Sequence, residues 1–306
     1  LHGDVLMWLM KTLLTSGCTN QRGAGQDDLN NVDNGNNKNM SYPEFIYKYR
    51  PVENYSDLKS DYYLDALFNQ YAIFSSRTNF NDLFDSKVDL IKPTPKEIKE
   101  LSKQIPKAKR HELLRHVSKG SFTPSGHEFI AKLEVMFNER INSYAFMSLS
   151  SIPDSNLMWS HYGASHRGFC IEYKTEHIKA RKVDYADDIP SLELLDLYKT
   201  FYELSTDNSL GVKILDALHC KLDEWKYESE YRFMASNNLA SIGRDERFKK
   251  VSYDANFVNS IIFGYRMEDK VKQLIIENMP TGTLFKQATI GRNSMKIVDY
   301  NKFNLA

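Results

Sequence analysis

The sequence predicts an α+β fold: a single mixed domain whose curved or split, mainly antiparallel sheet carries flanking helices and a helical insertion. Three observations predict it. Short apolar runs with strand alternation are scattered between helical stretches without a strict βαβ cadence. The aromatic content is high, with 18 Tyr and 17 Phe in 306 residues, which favours sheet. The chain also shows no internal repeat, no strong interdomain linker and enough length to bury a sizeable core.

The elements follow in chain order. Residues 1–39 lack a periodic core pattern and end in an Asn/Asp/Gly-rich tract, which predicts a disordered or non-native-start tail ahead of a domain spanning 41–306. The run before Cys18 resembles a lipoprotein signal but is shorter than an ordinary signal core, so Met40 is the favoured start and the lipoprotein the lesser alternative. Phe45–Arg50 alternates and stops at Pro51, a strand. Asp61–Gln70 carries Leu64, Leu67 and Phe68 at helical spacing behind an N-cap at Asp61 or Ser60. Tyr71–Ser76 is a second strand, and Asn79–Asp85 suits a turn bonded by its own side chains. Lys92–Arg140 reads as a charged helical insertion punctuated by Pro93, Pro95, Pro106 and Pro124, with solvated basic faces around Lys103–Arg115. Tyr144–Ser148 and Gly168–Tyr173 return to strand. Ile189–Leu222 is mainly helical. Glu230–Met234 and Val258–Gly264 are strands, Glu268–Asn278 a helix, and Thr283–Ala288 with Met295–Tyr300 the closing strands.

Forty basic and forty acidic side chains give a formal net charge of zero. A nucleic-acid partner therefore has no support from net charge, though a local basic patch is compatible with it. No stretch approaches the ~18–20 apolar residues of a membrane span. Cys18, Cys170 and Cys220 follow no metal or redox spacing, which points to a reducing, cytoplasmic setting, with Cys170 a small buried hydrophobe. His161 and His166 lack a third ligand at sensible spacing, and Asn81, Asp82 and Asp85 suit a turn better than a cation, so no metal is expected.

The densest chemistry lies in Ser148–Tyr173. Ser148, Ser150, Ser151, Trp159, Ser160, His161, Tyr162, His166 and Arg167 crowd a loop-to-strand junction, as in a ligand pocket. The plainer alternative is a wet surface loop.

Tyr47-Lys-Tyr-Arg50, Phe74-Ser-Ser with Phe80-Asn-Asp-Leu-Phe-Asp85, Met158-Trp-Ser-His-Tyr162, Gly168-Phe-Cys-Ile-Glu172, and Trp225 with Glu228-Ser-Glu-Tyr-Arg232 resemble, in order and spacing, the bacterial domain-of-unknown-function family 2971, over roughly Ile46–Gly264. Leu83 departs from the proline usual there. That resemblance implies a fold but no reaction. An early strand-end Arg, a Ser-x-Ser strand and a late Glu-x-Glu also resemble the layout of mono-ADP-ribosyltransferases. This second resemblance implies NAD as substrate. Arg50 would pair with the pyrophosphate, Ser148 and Ser150 would hold the ribose, and Trp159 or Tyr162 would stack on nicotinamide. Glu230 would stabilise the oxocarbenium-like state while Glu228 orients the acceptor. Arg232 and His161 complete the expected cleft as charge partner and candidate base.

Each of these residues has a structural alternative. Arg50 can pair with Glu53 or Glu44, and Glu228, Glu230 and Arg232 can form an ion-pair ladder. His161 can be a satisfied hydrogen-bonding histidine, and Trp159 and Trp225 core anchors. Two readings follow: an NAD-using ADP-ribosyltransferase-like enzyme, such as a toxin or phage-defence effector modifying a macromolecule, or a non-catalytic nucleotide- or partner-binding module of a bacterial defence or stress system. A metal-independent nuclease built on His161, Glu228 and Arg232 is more remote.

Overall fold

The computed structural model describes residues 42–202, 204, 209–235 and 248–300. The expectations for residues 1–39, Cys18 and Met40 lie outside them. The fold is α+β with a mixed, mainly antiparallel sheet, and the chain divides into two compact units. Phe80–Tyr144 and Asp184–Leu222 form one, and the remaining described residues form the other.

The second unit is built on a ten-stranded sheet. Its strands are β1 (Phe45–Arg50), β2 (Tyr71–Ser76), β3 (Ala145–Ser150), β4 (Phe169–Lys174), β5 (Arg181–Lys182), β6 (Glu230–Ala235), β7 (Phe248–Ser252), β8 (Val258–Phe263), β9 (Leu284–Ile290) and β10 (Met295–Asp299). They run in the order β7-β2-β3-β1-β4-β8-β9-β10, with β6 also on β3 and β5 on β6. Among these ten strands only β8 and β9 pair in parallel; α3 (Asp269–Asn278) makes the crossover that parallel neighbours need. Among the described residues two shorter helices, α1 (Tyr62–Phe68) and α2 (Asn156–Tyr162), complete this unit's α-helices. The Asp61 carboxylate caps α1 by accepting from the Tyr63 and Leu64 amides, and it also takes the amides of Glu53 and Asn54.

The sheet is split at its centre. β1 meets β3 only at Tyr47 opposite Ser150, whereas β2 meets β3 at its other end, Ser75 opposite Phe146. Between those points two cations on β1 stand in for the missing ladder. Lys48 Nζ donates to the Ser148 carbonyl at 2.5 Å, and Arg50 Nη2 reaches the Ile73 carbonyl at 3.5 Å. The end of β1 is closed by Gly168, where a Cβ would stand 2.1 Å from the Arg50 carbonyl oxygen, so no other residue fits there.

The sheet's two faces carry separate cores. Ile46, Met147, Leu149, Phe169, Ile171, Tyr231, Ile261 and Phe263 belong to the larger. Tyr47, Tyr49, Trp159, Cys170 and Ile262 belong to the smaller. Alternation along β1 therefore assigns Lys48 and Arg50 to the face of the larger core.

In the first unit the insertion expected over 92–140 is not helical throughout. Helices at Pro95–Gln104, Lys107–Leu114 and Pro124–Asn142 are interrupted by a hairpin, Val117–Ser118 with Ser121–Phe122. Its turn is Lys119-Gly120, both at positive φ, the geometry a two-residue hairpin favours. Pro95 and Pro124 start helices rather than break them. Each sits at the first helical position behind a threonine cap, and Thr94 and Glu97 close a reciprocal capping box. Asp82 forms the expected turn, its carboxylate accepting from the Phe84 amide. Among the described residues no helix is long and apolar enough to cross a membrane.

Candidate functional site

The second unit brings the Ser-x-Ser and Glu-x-Glu segments together across 80 residues of sequence. β3 and β6 pair so that Ser150 stands opposite Glu230 and Ser148 opposite Arg232. All four side chains lie on the face of the smaller core, since the intervening Leu149 and Tyr231 belong to the larger. The Ser150 hydroxyl donates to the Glu228 carbonyl at 2.7 Å and receives the Ile152 amide at 3.1 Å. Ser229, between the two glutamates, has φ 44°, so Glu228 ends a 3₁₀ turn (Asp223–Glu228) rather than sharing the strand. Its carboxylate accepts from the Tyr162 hydroxyl at the end of α2.

Glu230 and Arg232 are 2% and 1% exposed. Arg232 Nε donates to Glu230 Oε1 at 2.9 Å and Nη2 to Oε2 at 3.1 Å, a bidentate pair within one strand. The guanidinium also covers the Phe146 ring, 5.5 Å from its centroid. Trp159 is fully buried: its indole N–H donates to the Pro153 carbonyl, and Tyr49 packs edge-on at 5.0 Å. It is a core anchor. His161 is exposed on α2 with its ring tilted against Tyr227.

Arg50 stands apart from this strip, on the opposite face. The Tyr63 ring lies under its guanidinium at 5.4 Å, and Tyr62, Tyr173 and Tyr253 surround it. Neither Glu53 nor Glu44 pairs with it, nor does any other carboxylate among the described residues. Burial lowers its pKa. Lys48 connects the two regions through the split. Burial, and then the neighbouring Arg50 charge, lower its ammonium to about 7, while Glu230 and Glu228 act in the opposite direction.

Two charged residues went unassigned in the sequence. Lys48 was readable, because Tyr-Lys-Tyr-Arg puts Lys48 and Arg50 on one strand face. Glu172 was not. It is buried on β4, where it takes Lys286 Nζ at 2.8 and 2.9 Å and the Asn259 amide, donors from β8 and β9. Among the described residues no group of three His, Cys, Asp or Glu is placed to hold a metal ion.

The blocks around Trp159, Glu172 and Arg232 that form this strip and its neighbour fall within one family-model match. Residues 158–233 match the model of DUF2971, a protein family of unknown function. The DUF2971 segment is narrower than the expected Ile46–Gly264. It includes Trp159, His161, Tyr162, Glu228, Glu230 and Arg232, and it leaves out Arg50, Ser148 and Ser150. No curated protein and no solved structure matches the chain.

Proposed function

We propose that this protein binds a pyrophosphate-bearing dinucleotide, NAD, through Arg50 and leaves it intact. The observation that carries the reading is the division between the two faces of the sheet. Arg50 keeps guanidinium N–H groups that no carboxylate takes, among tyrosine rings suited to a planar partner. Glu230, the residue that would have to meet a developing positive charge on the ribose, is sealed and already holds a bidentate cation. A carboxylate neutralised in this way has little left to offer an oxocarbenium-like state.

ADP-ribosyl transfer is the second reading, and one observation favours it. Ser150 is in register with Glu230 and bonded to the Glu228 carbonyl, the bracing that this chemistry needs. Titration calorimetry with NAD separates binding from no binding. The binding reading predicts a saturable signal weakened roughly tenfold or more by Arg50→Ala, the loss of a charge-assisted hydrogen-bond donor. Absence of any signal would overturn both readings.

A further inference from the structure

We propose that a pocket of the same unit, bounded by the turn after α2, the β8–α3 connection and the β9–β10 turn, binds the phosphate of a small phosphomonoester of mononucleotide size. This goes beyond the Arg50 reading and shares no residue with it. The cavity measures about 330 Å³, within the range that holds small ligands. Arg266 and Arg292 both line it, and no Asp or Glu does. Both arginines are exposed, and among the described residues neither pairs with a carboxylate. Exposed arginines usually point into solvent singly; here two share one concavity whose other polar members are neutral. Asn156, Asn293 and Ser294 add amide and hydroxyl groups, so the walls offer donors to an anion and no competing acid. Two planar forks suit the several oxygens of a phosphate dianion better than the two of a carboxylate.

The backbone beneath the pocket is held in an unusual shape. Ala164, Ser165 and His166 have φ of 48°, 53° and 70°, three consecutive non-glycine residues in the left-handed region. The Ser165, His166 and Gly168 amides tie the turn back to α2 and Gly163, and the His166 carbonyl accepts the Arg266 amide at 2.8 Å. The turn therefore fixes His166 and Arg266 to each other. The His166 ring has Nε2 3.2 Å from the Ser160 hydroxyl, while Nδ1 is buried with no partner. Burial, then the Arg266 charge, keep this imidazole below its ordinary pKa, so at neutral pH it is an uncharged polar wall. A buried ring nitrogen without a partner is what a bound ligand or its water would complete. Tyr265, 46% exposed at the rim, presents a ring on which a base could stack.

The test is calorimetry on the intact protein with AMP, inorganic phosphate and adenosine as separate probes. AMP should bind, adenosine should bind roughly tenfold more weakly or not at all, and phosphate should compete with AMP. Arg266→Ala and Arg292→Ala should each weaken AMP roughly tenfold or more with an unchanged melting temperature, since both side chains are exposed. Arg50→Ala should not reproduce that loss, which keeps this site distinguishable from the first. Equal binding of adenosine and AMP, or AMP binding untouched by the Arg266→Ala/Arg292→Ala double variant, would overturn the proposal. Absence of AMP binding at millimolar concentration would do the same.

Discussion

Replacing Glu230 by Gln tests whether the Glu230–Arg232 pair is structural. The substitution keeps the shape of the side chain and removes its charge. In the native protein two guanidinium N–H groups at 2.9 and 3.1 Å meet two carboxylate oxygens, and both residues are almost wholly buried. In Glu230→Gln one oxygen becomes an NH₂ facing another donor, and the Arg232 charge is left without this counter-charge. Removing one partner of a buried pair costs about 3–5 kcal/mol. At about 2–4 °C per kcal/mol for a body of this size, the melting temperature should fall by roughly 6–20 °C. The double variant Glu230→Gln/Arg232→Met should recover most of that loss, because removing both charges together is close to neutral. Thermal denaturation of the wild type, both single variants and the double variant closes the cycle. A Glu230→Gln melting temperature within about 2 °C of wild type would refute the reasoning and return Glu230 to the candidates for catalysis.

Two further expectations concern pH. His116, in the first unit, is buried with both ring nitrogens unpartnered and its ring stacked on Phe129 at 4.6 Å; burial pushes its pKa down to about 4. Because the unfolded chain binds this proton first, stability should be full above about pH 6.5 and fall from there towards pH 4. His116→Leu should flatten that part of a stability-against-pH curve. Lys48, lowered from 10.5 to about 7, has the same sign at higher pH: its contribution should make stability rise between about pH 7 and 10.5. Lys48→Met should remove the rise, and an unaltered slope in chemical denaturation would refute the assignment.

The strands were legible because their signals are local. FIYKYR, YAIFSS and GFCIEY each carry alternation or a buried apolar run bounded by a breaker, and all three are strands. The hairpin at Val117–Phe122 was not seen because strands of two residues are too short for alternation to register, although Lys119-Gly120 is a usable turn signal. The pairing of Ser150 with Glu230 was foreshadowed by the Ser-x-Ser and Glu-x-Glu spacing. Its register, and the sealing of Glu230 by Arg232, depend on tertiary contacts that no spacing encodes. The same holds for Arg50. Its place at a strand end was readable, but its place on the opposite face from Glu230 follows from where β1 leaves β3. Glu172 inside GFCIEY reads as one polar residue in an apolar run, because its partners Asn259 and Lys286 come from strands far along the chain.

The most direct test of the central claim is nicotinamide release measured on the intact protein saturated with NAD, with and without cell lysate as a source of acceptors. A protein that binds through Arg50 and keeps Glu230 locked to Arg232 should hold NAD and release no nicotinamide above the spontaneous rate in either condition. Release that Glu230→Gln abolishes while the variant stays folded would contradict the account and establish ADP-ribosyl or glycosyl transfer in its place.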